Sequence, residues 1–166
     1  MTTMRSSPTM VIAGRLAEYI PIDPDSVLDT MELSITRTPR PAHRPMLEQE
    51  GRWAGRLRRI GAAKLRHWRQ PTLVDDFQLL ISELVTNALR YGEGEITIRL
   101  VLATKALVIE VTDGSADFPR MRRPSLDDEN GRGLLIVAAV ATDWGYSPDG
   151  TSTWCTIPTV PVEGRR

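Results

Sequence analysis

The sequence contains few residues of several types, and each scarcity excludes a kind of structure or site. A single cysteine, Cys155, excludes an internal disulfide and a cysteine-rich zinc site. Aromatic residues make up only 5% of the 166 residues, so aliphatic side chains and alanine must build the core. No run approaches the roughly 20 apolar residues of a membrane-spanning helix, and the first residues lack the apolar stretch of a secretory leader. We therefore expect a cytoplasmic protein.

The sequence also lacks a net charge, because 21 lysines and arginines balance 21 aspartates and glutamates. That balance gives no overall attraction to nucleic acid or to a membrane surface, so we expect neither as a partner. Arginines do concentrate on one face of a predicted helix over residues 46–70. This face is either a solvated basic surface or a docking surface for a partner protein. It lacks the interleaved aromatic side chains that favour nucleic-acid binding.

Proline and hydropathy patterns divide the chain. Residues 1–30 hold a short apolar patch interrupted by prolines, and form either a loosely attached extension or a short docking helix. Residues 31–38 alternate apolar and polar side chains, which predicts a half-buried strand. We expect one domain over residues 31–158, preceded by the extension over residues 1–30 and followed by a tail over residues 159–166.

The predicted elements of this domain follow in the order strand, helix, helix, hairpin, loop, helix, hairpin. The second helix is expected to begin at a cap on Thr72 or Asp75 and to end near Gly92. Two alternating runs over residues 95–102 and 106–113 predict an antiparallel hairpin. The order as a whole predicts an α+β fold, a two-layer α/β sandwich with helices on one face of a mixed sheet.

Two polar residues stand among the apolar residues of the second helix, in the segment SELVTNALRYG. Glu83 and Asn87 are four residues apart, so they share one helix face about 6 Å apart along the axis. A carboxylate and an amide so placed can orient a water and complete a magnesium shell, because Mg²⁺ prefers oxygen ligands. The alternative is the solvated edge of an ordinary amphipathic helix.

Two further features flank a long polar loop over residues 115–130. Asp113 ends a predicted strand, where a carboxylate can accept a hydrogen bond from the amino group of a base; a turn-forming aspartate is the alternative. The segment GRG precedes an apolar helix, whose N-terminus offers free N–H groups to phosphate oxygens. A plain loop-to-helix turn explains it equally well. The loop is either a lid over a ligand or disordered.

Taken in order, three segments resemble the motifs of a known superfamily. ELVTNAL resembles the N-box of the GHKL (Bergerat-fold) ATPases, VTDGS resembles their first glycine box, and GRGLLIV resembles their second. The closest resemblance is to the anti-sigma-factor serine/threonine kinase branch, and it covers about residues 31–158. It implies a histidine-kinase-like ATPase fold that binds ATP and Mg²⁺.

The resemblance also implies a role for each matching residue. Glu83 matches the general base that activates a hydroxyl or a water, and Asn87 matches the magnesium ligand. Asp113 matches the carboxylate that recognises the adenine amino group. The matches in the second glycine box, which holds phosphates, are Gly131, Arg132 and Gly133.

The function that the resemblance implies is an anti-sigma factor that binds a sigma factor and phosphorylates an anti-anti-sigma (STAS-type) partner, acting as a homodimer. Two departures from the family pattern leave an alternative open, a nucleotide-gated protein-binding module without kinase turnover. Ala116 and Asp117 follow Ser115 in the first glycine box, and Thr151 stands where the branch often carries a lysine. A detached catalytic domain of a histidine kinase is a third interpretation, disfavoured because the two histidines, His43 and His67, fit no phosphoacceptor helix.

Overall fold

A computed structural model describes residues 8–37, 48–113 and 132–162. Its helices are α1 (Pro8–Ala17), α2 (Glu48–His67), α3 (Val74–Tyr91) and α4 (Arg132–Val140). Its strands are β1 (Val27–Ile35), β2 (Ile96–Ala103), β3 (Ala106–Asp113), β4 (Asp143–Tyr146) and β5 (Ser152–Pro158). The strands form one sheet in the order β1-β2-β3-β5-β4, with helices packed on it. The predicted α+β sandwich is confirmed.

The sheet differs in one respect from the mixed sheet that the sequence predicts. Each strand pairing among the described residues is antiparallel. β4 does run parallel to β3, because α4 carries the chain back between them. However, β5 is inserted between these two strands and pairs with both in the antiparallel direction. No parallel strands of the described sheet are therefore neighbours.

The main core lies between the sheet and the antiparallel helix pair α2 and α3. Side chains alternate between the two faces of a strand, and the even-numbered residues of β2, from Ile96 to Leu102, face the helices. α3 supplies a continuous buried stripe from Phe77 to Leu89, spaced as an amphipathic helix requires. A β-carbon at Gly61 of α2 would overlap the ring of Phe77, so the close approach of the two helices depends on glycine there.

The opposite face of the sheet is covered by α1. Leu16 and the following Ile20 are each 2% exposed and pack on Val101, Val108 and Trp154. The helices of the predicted domain, α2 to α4, pack on one face of the sheet as the sequence predicts, and the helix of the amino-terminal extension covers the other face. Val101 and Val108 give the outer face of the sheet an apolar patch, and burying it against an apolar helix is favourable. Of the two interpretations of the amino-terminal patch, the structure supports the docking helix.

A polar network lies beside this apolar patch. Glu110 is 1% exposed, and it accepts hydrogen bonds from the Tyr19 hydroxyl and from Arg99, the latter at 2.7 Å. Arg99 also pairs with Glu32 at 2.6 Å. Burial, and after it the hydrogen bond to Glu110, raises the pKa of Tyr19 above its usual value. A buried carboxylate requires such partners, so the network ties the segment after α1 to the sheet.

The boundaries of the elements differ from their predictions by a few residues. β1 begins at Val27, four residues before the predicted start, and its register shifts between Val27 and Asp29. α3 follows a short 3-10 turn directly, and neither Thr72 nor Asp75 caps it. Gly92 ends it as predicted. The two predicted hairpins, β2–β3 and β4–β5, are confirmed. In the part of the chain that the structure describes, each helix is too short or too polar to span a membrane.

Candidate functional site

A cavity of about 300 Å³ opens between α3 and α4. Glu83 and Asn87 of α3 both line it, as do Arg132 and Gly133 at the start of α4. Four of the six residues singled out from the sequence therefore meet around one space, although α3 and α4 are separated by a complete hairpin. The pairing of Glu83 with Asn87 follows from helix geometry, because residues four apart project on the same side.

The start of α4 lies directly against Glu83. A β-carbon built on Gly133 would stand 2.6 Å from Glu83 Oε2 and 3.6 Å from Glu83 Cδ. Any larger residue at this position would force the carboxylate to move. Glycine at this position lets the Glu83 carboxylate keep its place beside the start of α4, which gives a physical reason for its place in the GRG segment.

Positive charge also surrounds the cavity. Arg132 is the first residue of α4, and Arg90 lies in the last turn of α3. Both line the cavity. The first N–H groups of a helix lack intrahelical partners and carry the positive end of the helix dipole. α4 therefore adds backbone donors to the two guanidinium groups, and the combination suits an anionic ligand such as a phosphate chain.

Asp113 occupies the end of β3, outside the lining of this cavity. Its side chain is buried, and its N–H donates to the carbonyl of Thr151 at 2.9 Å. It packs against Gly92, where a β-carbon would lie 2.6 Å from Asp113 Cβ. Gly92 follows Tyr91, which does line the cavity. Asp113 is therefore one residue removed from the cavity wall, at the end where α3 meets the sheet.

The turn of the last hairpin lies on the other side of Asp113. Asp149 accepts hydrogen bonds from the Ser147 hydroxyl at 2.6 Å and from both the N–H and the hydroxyl of Thr151. These bonds, the one from Ser147 above all, lower the pKa of Asp149. Gly150 adopts a positive φ of 74°, as a tight turn of this kind requires. The hydrogen bonds of Asp149 are all made within the turn, and the turn contains no lysine.

The sequence missed several residues of the cavity wall, although the signal was available. Thr86, Arg90 and Tyr91 stand three, seven and eight residues after Glu83, and these spacings put them on the same face of α3. From α4, Leu134, Ile136 and Val137 complete the wall. Gly131 and the loop over residues 115–130 lie outside the described residues, so their predicted roles stay predictions.

The arrangement agrees with a comparison with protein families. The model of the histidine kinase-like ATPase domain matches residues 48–157, which hold α2 to β5 and the whole cavity. The chain belongs to this family. Among curated proteins, no relative matches the sequence. The histidine kinase-like ATPase domain is a nucleotide-binding domain of the GHKL type, so the chain is an ATP-binding protein.

The residues around the cavity fit the nucleotide that the histidine kinase-like ATPase domain implies. Arg90, Arg132 and the N-terminus of α4 provide cations and donors for phosphate oxygens, and Gly133 leaves room beside Glu83. Within residues 8–37, 48–113 and 132–162, no three histidine, cysteine, aspartate or glutamate side chains converge on one point. Magnesium commonly takes one or two protein ligands and completes its shell with phosphates and water. The amide oxygen of Asn87 is suited to that part.

Proposed function

We propose that this histidine kinase-like ATPase domain is an ATP- and Mg²⁺-dependent anti-sigma factor that phosphorylates a serine or threonine of an anti-anti-sigma partner. The observation that carries the proposal is the meeting of Glu83 and Asn87 with the start of α4 around one cavity. A base and a candidate metal ligand face the place where backbone donors suit phosphate oxygens. Phosphoryl transfer needs such positioning and charge neutralisation more than covalent chemistry.

Each residue has a separate part in this proposal. Glu83 takes the proton of the substrate hydroxyl, whose oxygen then becomes the nucleophile. Asn87 holds the magnesium ion, and Asp113 accepts a hydrogen bond from the adenine amino group. Arg132 neutralises phosphate charge together with the N-terminus of α4. Bound ATP supplies the phosphoryl group that is transferred.

A second candidate function is a nucleotide-gated binding module that holds ATP without transferring its phosphate. The turn of the last hairpin favours it, because Thr151 replaces the lysine of the branch and is bonded to Asp149 within the turn. A lysine there would add positive charge near the nucleotide. The histidine kinase alternative is weaker, because His67 lies in α2, inside the matched ATPase domain and not on a separate phosphoacceptor helix.

Calorimetric titration of the protein with ATP, with and without Mg²⁺, tests nucleotide binding first. Incubation with γ-labelled ATP and a candidate STAS-type partner then tests transfer. We expect label on a serine or threonine with the wild-type protein, and none with Glu83→Gln, which keeps the size of the side chain but not its basicity. Tight Mg²⁺-dependent binding without any label would support the binding module instead.

Association with partners needs its own measurement. We propose a homodimer that binds one sigma factor, and analytical ultracentrifugation of the chain alone and with candidate sigma factors measures both stoichiometries. A monomer at all protein concentrations would contradict the dimer. Competition between the sigma factor and the STAS-type partner in the presence of ATP would be the expected regulatory behaviour.

A further inference from the structure

Arg37 follows β1 by two residues, yet its side chain reaches the far end of α3. Its side chain is largely buried, with 7% of it exposed. It donates four hydrogen bonds to backbone carbonyls and approaches Glu50 at 3.4 Å. The four carbonyls and their distances are Gly92 at 2.6 Å, Gly94 at 2.7 Å, Leu89 at 3.1 Å and Ala88 at 3.2 Å.

These carbonyls belong to the last turn of α3 and to the segment that leaves it. Carbonyls at the C-terminus of a helix carry the negative end of the helix dipole. The Ala88 carbonyl also accepts the N–H of Gly92 at 2.8 Å, and it takes the Arg37 bond in addition. A planar guanidinium with several donors in fixed directions can satisfy several of them at once. Arg37 therefore acts as a side-chain cap on the C-terminus of α3, although it lies more than fifty residues earlier in the chain.

The capped turn is part of the cavity wall. Asn87 immediately precedes Ala88, whose carbonyl Arg37 holds, and Tyr91 immediately precedes Gly92. The same contacts extend to Asp113. A β-carbon on Gly92 would lie 3.0 Å from Arg37 Nη2 and 2.6 Å from Asp113 Cβ, so Gly92 is enclosed between the two side chains.

We propose that Arg37 is a positioning residue of the nucleotide site: by fastening the last turn of α3 it sets Asn87 and, through Gly92, the end of β3 at Asp113. This inference rests on the proposed nucleotide-binding roles of those two residues. Arg37 itself does not line the cavity. It acts through the backbone, because four of its hydrogen bonds hold the main chain next to Asn87 and at Gly92.

Arg99 provides a matched control for this position. It is also a largely buried arginine, with 19% of its side chain exposed, and it bonds to two carboxylates, those of Glu32 and Glu110. Its partners lie on the outer face of the sheet, away from the cavity. Arg37→Lys and Arg99→Lys each keep a positive charge and lose the branched donor geometry. A general loss of stability would affect both variants, whereas a positioning effect would affect Arg37→Lys alone.

The experiment measures ATP and GTP affinity by calorimetry, thermal midpoint, and amide hydrogen exchange in the ligand-free protein, for wild type and both lysine variants. We expect Arg37→Lys to weaken ATP binding by about tenfold, as loss of a supporting residue behind a ligand commonly does, and to reduce the preference for ATP over GTP. Exchange should accelerate over residues 88–94. Arg99→Lys should lower the thermal midpoint while leaving affinity and exchange over residues 88–94 unchanged.

Adding ethylguanidinium to Arg37→Ala gives an independent measurement, because a small guanidinium can restore the missing donors without restoring the chain connection. Partial recovery of ATP affinity supports positioning, and Arg99→Ala should show none. Unchanged exchange over residues 88–94 in Arg37→Lys, or equal loss of affinity in both lysine variants, would overturn the inference. Failure of the wild-type protein to bind ATP would instead overturn the proposed function, while exchange still decides whether Arg37 fastens the turn.

Discussion

Gly133 faces the carboxylate of Glu83 so closely that a β-carbon on the glycine would lie 2.6 Å from Oε2. The two residues come from different helices, and each restricts the other. The terminal carboxylate of a glutamate is flexible, so an added methyl group at Gly133 would displace it instead of separating the helices. The contact therefore links the orientation of the candidate base to the position of the candidate phosphate-binding segment.

Gly133→Ala tests this contact. We expect the free energy of unfolding to change by less than about 1 kcal/mol, since alanine is the better helix former and only a flexible carboxylate must move. Phosphotransfer should fall strongly because Glu83 is turned away. In the Glu83→Ala background the same change has no carboxylate to displace, and a double-mutant cycle on the free energy of unfolding measures this coupling. Full transfer activity in Gly133→Ala would show that the carboxylate orientation is not needed.

Asn87→Ala removes the candidate magnesium ligand. We expect Mg²⁺-dependent binding of ATP to be abolished, because the amide oxygen is then missing from the metal shell. Calorimetric titrations with and without Mg²⁺ measure the difference. Asp76→Asn, an exposed residue on the same helix, serves as a control and should bind as wild type does. Unchanged affinity in Asn87→Ala would mean that the metal is held elsewhere.

Asp113→Ala tests recognition of the base. We expect the binding free energy for ATP to weaken by roughly 1.5–3 kcal/mol, the value of a hydrogen bond to a charged group. GTP binding should weaken less, because its base has a carbonyl where adenine has the amino group. Titrations with both nucleotides give the comparison. If the variant distinguishes ATP from GTP as well as wild type does, adenine is recognised by other residues.

Asp149 gives the stability of the protein a predictable dependence on pH. Its pKa is lowered in the folded state, so it stabilises the fold above the unfolded pKa of about 4 and loses this contribution as pH falls through the folded pKa. Asp149→Asn should therefore lower the free energy of unfolding at neutral pH, and the two proteins should converge in acid. Urea unfolding over a pH series measures this, and a pH-independent difference would contradict it.

Local patterns predicted the elements that depend on local spacing. The alternation in β2 and β3 and the apolar stripe of α3 follow directly from strand and helix periods, and they placed Glu83 and Asn87 on one face. The predicted side-chain N-cap of α3 was wrong because the 3-10 turn before α3 already directs the chain into the helix. The amino-acid composition does not indicate that a 3-10 turn will continue directly into a helix.

Contacts between distant segments could not be predicted in the same way. α1 covers the outer face of the sheet because Val101 and Val108 form an apolar patch there. The hydrogen bond between Tyr19 and Glu110 joins residues that are 91 positions apart in the sequence. Arg37 appeared in the sequence as one arginine among many before a proline-rich stretch. Its four carbonyl partners become visible only when β1 is placed beside β2.

The position of β1 at the edge of the sheet has a consequence for the order of assembly. Ile35 pairs with Ile96, whereas β2 and β3 are joined by two residues, and closing the longer loop costs more entropy. β1 is therefore expected to join late, after the hairpins have formed. Since Arg37 lies two residues after the last residue of β1, it reaches the C-terminus of α3 only at that step. The recovery of ATP binding during refolding should thus come after the formation of the core, so ATP binding serves as a measure of the last stage of folding.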